Sequence, residues 1–137
     1  MNVAIVFDSA TGTTKAAAEA MAERVRAAGH QCTVGSVQDA DPATVSRANA
    51  ICVGSWCKGL FFVLQHATEA TMDFIDGLGS LDGKPTAVFC TYKTAAGRML
   101  PKMAARLESR GAAVTGSFKS RGPVVAAGFD RWVESLA

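Results

Sequence analysis

Hydrophobic and polar positions fall into short blocks along this chain, and each block has a readable period. Residues 2–8 (Asn-Val-Ala-Ile-Val-Phe-Asp) are an almost unbroken apolar run that stops at turn residues. A run of that length and composition predicts a strand covered on both faces. Ser, Thr and Gly then break the chain. Over residues 13–28, Ala17, Met21, Ala22, Val25 and Ala28 recur at helical spacing, with Gly29 as the stop. Strand, tight loop and long helix make half of a βαβ unit.

Residues 31–37 alternate, with Cys32, Val34 and Val37 apolar, which predicts a second strand partly exposed at a sheet edge. Asp41-Pro42 predicts a short helix with Asp41 as N-cap and Pro42 as its first residue. Residues 50–54 (Ala-Ile-Cys-Val-Gly) are wholly apolar and predict a third, central strand. Residues 61–75 read as helix, which puts His66 on that helix. Gly77, Gly79, Gly83 and Pro85 then turn the chain into a fourth strand at 86–90. Residues 99–110 read as helix, with Pro101 tolerable only in the first turn. A strand at 113–118, a Gly122-Pro123 turn and a terminal helix with Phe129, Trp132, Val133 and Leu136 on one face complete the pattern.

Five strands alternating with helices predict an α/β protein with a parallel sheet covered on both faces, because right-handed crossovers place helices on each side. In such sheets ligands sit beyond the strand C-termini, where strand order reverses. Length supports one domain over residues 1–137, without linker or repeat. With 49% apolar and 19% charged residues, the chain can bury a core and does not read as disordered.

Charge and cysteine usage exclude several classes. Basic and acidic residues, 14 against 12, are interspersed, so no nucleic-acid footprint exists. No stretch nears the roughly 20 apolar residues of a membrane span, and the N-terminus lacks a basic leader; a cytoplasmic protein is expected. Cys32, Cys52, Cys57 and Cys90 are dispersed, without zinc-ligand spacing or a disulfide framework, and suit free thiols in a reducing compartment. His30 and His66 have no nucleophile or carboxylate partner in a recognisable arrangement.

Three loops at the expected ligand end carry the candidate chemistry. The first is Ser9, Ala10, Thr11, Gly12, Thr13 and Thr14. Successive amides at a helix N-terminus, a glycine permitting close approach and several hydroxyls make a donor-rich cup for a phosphate. It lacks Gly-x-Gly-x-x-Gly and Gly-Lys-Ser/Thr, which disfavours a dinucleotide fingerprint and excludes a P-loop. The second is Gly54, Ser55, Trp56, Cys57, Lys58 and Gly59, where Trp56 can present its face to a planar ring or plug the core end. The third runs from Thr91 and Tyr92 through Lys93 to Gly97 and Arg98; Tyr92 can cover the other ring face, while Thr91 and backbone amides meet the ring's polar edge.

On Ser-x-Thr-Gly-x-Thr at residues 9–14, Gly-Ser-Trp at 54–56 and Thr-Tyr at 91–92, the sequence resembles the flavodoxin family over its whole length, in the short-chain form. The resemblance implies a doubly wound five-stranded sheet of order 2-1-3-4-5, with FMN at the switch between strands one and three; flavodoxin is itself a worked example of that rule. It also implies non-covalent FMN that cycles through quinone, semiquinone and hydroquinone while carrying electrons between redox protein partners, as a monomer and without a catalytic acid or base.

Three departures bear on that expectation. Cys57-Lys58 stands where many flavodoxins have Gly-Asp, which puts semiquinone stabilisation in doubt because a non-glycine residue resists the peptide flip involved. Lys58, Lys93 and Arg98 bring positive charge to a ring site that is commonly acidic, favouring anionic reduced flavin and docking on acidic partners. The ring-covering aromatic often sits slightly later than Tyr92. Two alternatives stay open: a small FMN-dependent NAD(P)H oxidoreductase acting on quinone or nitro-type acceptors, and a flavodoxin-fold domain without flavin.

Overall fold

A computed structural model of the protein describes residues 1–60, 63–92 and 99–136. Strand β1 (Asn2–Asp8) sends Val3, Ile5 and Phe7 to one side of a sheet and Ala4 and Val6 to the other, and all five are buried. A strand apolar on both sides requires cover on both, and the helices supply it. Helices α1 (Thr13–Ala27) and α5 (Phe129–Ser135) pack Met21, Val25, Phe129 and Trp132 on the Ile5 side. Helices α3 (Glu69–Asp76) and α4 (Met99–Ser109) pack Phe74, Ile75, Met103 and Leu107 on the Val6 side. The short α2 (Pro42–Ser46) adds Val45 to that second core.

The main sheet contains β1, β2 (Gln31–Ser36), β3 (Ala50–Trp56), β6 (Pro85–Thr91) and β7 (Ala113–Ser120). They pair in parallel in the order β2-β1-β3-β6-β7, which is 2-1-3-4-5 when only these five are counted. The wholly apolar β3 is central, and the alternating β2 is an edge strand, partly exposed along its length. Order reverses between β1 and β3, so the crevice for a ligand opens at the ends of Asp8, Trp56 and Thr91.

The segment between β3 and α3 differs from the sequence expectation. Helix does not run over 61–75: β4 (Lys58–Leu60) and β5 (Val63–His66) form an antiparallel hairpin, with Lys58 opposite His66 and Leu60 opposite Val63. His66 therefore lies in a strand. Leu60, Val63 and Leu64 belong to an apolar run with no polar face of period 3.6, and a run of that kind fits a strand as well as a buried helix. The helix starts only where Thr68 supplies a cap, its Oγ accepting the Thr71 amide at 3.2 Å. The second loop is correspondingly short: β3 continues through Trp56, and Cys57 alone separates it from β4.

Smaller differences are local. Asp41 occupies the N-cap position of α2, but its carboxylate accepts the Thr44 hydroxyl at 2.9 Å rather than a backbone amide. Pro101 is the third residue of α4, within the first turn, as a missing N–H requires. Leu136 is buried although it lies just past the end of α5.

Candidate functional site

The first loop joins β1 to α1 through Gly12, whose φ of 91° is left-handed and suits a residue without Cβ. A Cβ built there meets no atom within 4 Å, so the glycine faces open space. No side chain caps α1 at Gly12, and its first turn holds no acidic residue. The leading amides of a helix lack intrahelical acceptors. Those of α1 thus remain open to an external anion, with the positive end of the helix dipole behind them. Ser9 shapes the turn by accepting the Gly12 amide on its Oγ at 3.0 Å, which leaves its own proton to donate outward. Ala10, Thr11 and Gly12 are exposed, and Ser9 and Thr13 half-buried.

Thr14 is different. It is buried, and its Oγ1 lies 2.6 Å from Oγ1 of Thr91, also buried. Two hydroxyls sharing one hydrogen bond spend one proton on it and keep the other free. The pair therefore ties the start of α1 to the end of β6 and still offers one donor.

The second and third loops are joined as well. Trp56 and Thr91 are register partners at the ends of β3 and β6, and the Cys57 amide donates to the Thr91 carbonyl at 3.1 Å. Trp56 is half-buried, with part of its surface presented at the sheet end. Ser55 is fully buried; its hydroxyl donates to the Trp56 carbonyl at 2.9 Å and accepts the Thr68 amide at 3.2 Å. It shapes the loop from within. Tyr92 is half-buried, its amide donates to the Ser120 carbonyl at 3.1 Å, and the Arg121 guanidinium carbon lies 5.6 Å from its ring centroid. That separation is a cation–π distance. Lys58 and Gly59 begin β4. Lys93, Gly97 and Arg98 lie outside the described residues.

Sequence reading missed Asp8 and Thr68. Asp8 ends β1 and is buried, with Oδ2 accepting the Thr68 hydroxyl at 2.5 Å and Oδ1 accepting the Gln38 amide at 3.0 Å. The available signal was a carboxylate closing an otherwise apolar strand directly before the Ser-x-Thr-Gly loop. Its partners, 30 and 60 residues away, gave none.

The thiols near the site are held protonated. Burial pushes Cys90 up to about 12, with Cys57 raising it further and Lys119 opposing, and burial also pushes Cys57 up. A nucleophilic or redox thiol needs the opposite shift. Among the described residues no group of three His, Cys, Asp or Glu side chains is placed to hold a metal. No described helix is long and apolar enough to cross a membrane.

A cleft of about 530 Å³ borders the phosphate loop on its far side, lined by Ser9, Gly12 and Lys15 together with Gly35, Ser36 and Gln38 at the end of β2. Neither Trp56 nor Tyr92 lines it. It follows the edge-strand side of the loop.

An open parallel sheet whose order reverses between β1 and β3, with an uncapped helix N-terminus at one strand end and an aromatic at the next, defines a doubly wound α/β protein. The chain belongs to the flavodoxin family, whose model matches residues 5–132. That family implies a flavin cofactor and electron transfer. The two-electron-reduced flavodoxin of Megasphaera elsdenii is 26% identical, covers 97% of this chain and 96% of its own, and superposes with a TM-score of 0.83. The Streptococcus pneumoniae TIGR4 flavodoxin, 20% identical over 99% of this chain and 97% of its own, shares the fold at a TM-score of 0.77. A rubredoxin:oxygen oxidoreductase from Desulfovibrio gigas shares it at 18% identity and a TM-score of 0.74, over 98% of this chain but 33% of its own. No curated protein sequence matches the chain.

Proposed function

We propose that this protein binds FMN non-covalently and carries electrons between redox protein partners. The observation that carries the reading is the uncapped N-terminus of α1 behind the open, left-handed Gly12, in a first turn free of acidic residues. Such a terminus suits one phosphate monoester held by neutral donors. Ser9, Ala10, Thr11, Gly12, Thr13 and the Thr14–Thr91 pair would hold the phosphate. Trp56 would lie against one ring face and Tyr92 against the other. Ser55, Cys57, Lys58, Gly59, Lys93 and Gly97 would border the ring's polar edge. The bound flavin supplies the chemistry, accepting and releasing one or two electrons; the protein positions it, limits water access and sets its potential. The reading includes a single domain, a monomeric state and a cytoplasmic location, the last in keeping with four free cysteines.

The test is an absorbance spectrum after FMN addition and desalting, followed by photoreduction under nitrogen and an NAD(P)H oxidation assay. Retained flavin bands without NAD(P)H oxidation are expected. Rapid NAD(P)H oxidation would favour a stand-alone reductase, and complete loss of flavin on desalting would exclude both. Bulky replacements at Thr11 and Gly12 should abolish FMN binding; retained stoichiometric flavin would refute the placement of the phosphate.

A further inference from the structure

Asp8 is a buried carboxylate at the end of β1, and no ion pair to it exists among the described residues, where the ion pairs involve Arg24, Arg26, Arg106 and Arg110. Among the described residues its hydrogen-bond partners are neutral donors, and the direction of each hydrogen bond follows from proton counting. Thr68 has one hydroxyl proton and gives it to Asp8 Oδ2. The Thr68 oxygen accepts the Thr71 amide at 3.2 Å, and the Thr71 hydroxyl at 2.7 Å must then also donate to it. Gln38 Nε2 donates to Asp8 Oδ1 at 3.0 Å. The chain of donors thus runs from Thr71 to Thr68 to Asp8 and from Gln38 to Asp8, with the amide end of α3 behind Thr68. This set stabilises an anion without cancelling its charge.

The position of that charge gives it a consequence. Asp8 is adjacent in sequence to Ser9 of the phosphate loop and is register partner to Ser55, next to Trp56. It therefore lies at the C-terminal end of β1, between the loop at residues 9–14 and the end of β3 that carries Trp56. We infer that Asp8 is a charge-tuning residue that disfavours the reduced, anionic form of a flavin bound there. The inference rests on the flavin-site reading above.

Asp8→Asn isolates the charge from the scaffold. Asn keeps the shape and can accept from Thr68 through Oδ1 while donating through Nδ2 to Gln38, whose amide need only turn over. The apoprotein's urea midpoint should stay close to wild type. Affinity for reduced FMN should rise about tenfold more than affinity for oxidised FMN, the scale of one charge acting through about 10 Å of protein of effective dielectric about 20. That ratio corresponds to an upward shift of about 30 mV in the two-electron potential. Thr68→Val is the counter-variant: it removes a hydrogen bond but keeps the charge, so stability should fall while the potential does not rise.

Three measurements, each made on wild type, Asp8→Asn and Thr68→Val, decide the matter: oxidised-FMN affinity by fluorescence quenching, the potential by redox titration, and the urea midpoint. A potential unchanged in Asp8→Asn, or raised equally in Thr68→Val, overturns the assignment of charge tuning while leaving the flavin reading intact. Failure of the wild-type apoprotein to bind FMN would instead remove the reading on which the inference rests, and the inference with it.

Discussion

Gly54 and Gly12 both flank the crevice, and a methyl group would harm each for a different reason. A Cβ at Gly54 would lie 2.0 Å from Cζ and 2.1 Å from Cε1 of Phe89, a ring with no exposed surface and so no room to retreat. Gly54→Ala should therefore overpack the core and cost about 1–3 kcal/mol. Gly12 has free space but a φ of 91°, so Gly12→Ala should cost about 1–2 kcal/mol through backbone strain, and Gly12→Asn less. Urea unfolding of the apoproteins checks this; equal losses for Gly12→Ala and Gly12→Asn would argue against the strain account. At this scale the sequence was legible where a local pattern sets the turn, as where Ser-x-Thr-Gly leads into α1 through a left-handed Gly12. It was opaque where function needs a distant partner. Thr14 reads as one more loop hydroxyl until Thr91, 77 residues on, is brought against it.

Among elements, those with a single dominant rhythm were readable. β1 begins and ends where its apolar run does, and α1 stops just before Gly29 as its small-residue stripe predicts. The segment after Trp56 was not, because an apolar run carries no period that separates strand from helix, and its pairing is set by the tertiary neighbourhood. The terminal helix was legible for the opposite reason: Phe129, Trp132 and Val133 mark one face. That face docks on β7, with Phe118 edge-on to Phe129 at 5.8 Å and to Trp132 at 6.4 Å, while the Trp132 indole donates to Thr115 Oγ1 at 2.9 Å. Trp132→Ala should cost about 3–5 kcal/mol. Asp130→Ala breaks the Arg24 ion pair, both partners more than half exposed, and removes the acidic residue from the first turn of α5, and should change stability by about 1 kcal/mol. Comparable losses in the two variants would mean that charge, rather than the aromatic face, holds α5 in place.

Across the whole molecule a formal charge of +2 says little, but its distribution says more. Helices that follow parallel strands begin at the ligand end, where their dipoles favour anions. α3 and α5 obey, with Glu69 and Asp130 in their first turns. α1, α2 and α4 do not: none has an acidic residue there, and Lys15 and Lys102 stand in the first turns of α1 and α4. α1 and α4 are the helices that follow the first and third loops, and Arg121 lies at Tyr92 beside the third. On the proposed reading these cations forgo helix-dipole stabilisation and would make the rim of the flavin site positive, which would suit docking on an acidic partner. Lys102→Glu should stabilise α4 by about 0.3–1 kcal/mol, and it should weaken attraction of anions to the rim. With photoreduced, FMN-loaded protein, re-oxidation by ferricyanide should slow as ionic strength rises from about 0.01 to 0.15 M, because the Debye length shrinks from about 30 to about 8 Å. Re-oxidation by a cobalt hexaammine cation should show the opposite trend, and Lys102→Glu should flatten both. If both oxidants respond to salt alike, the positive rim does not steer encounter, and the expectation of an acidic partner falls with it.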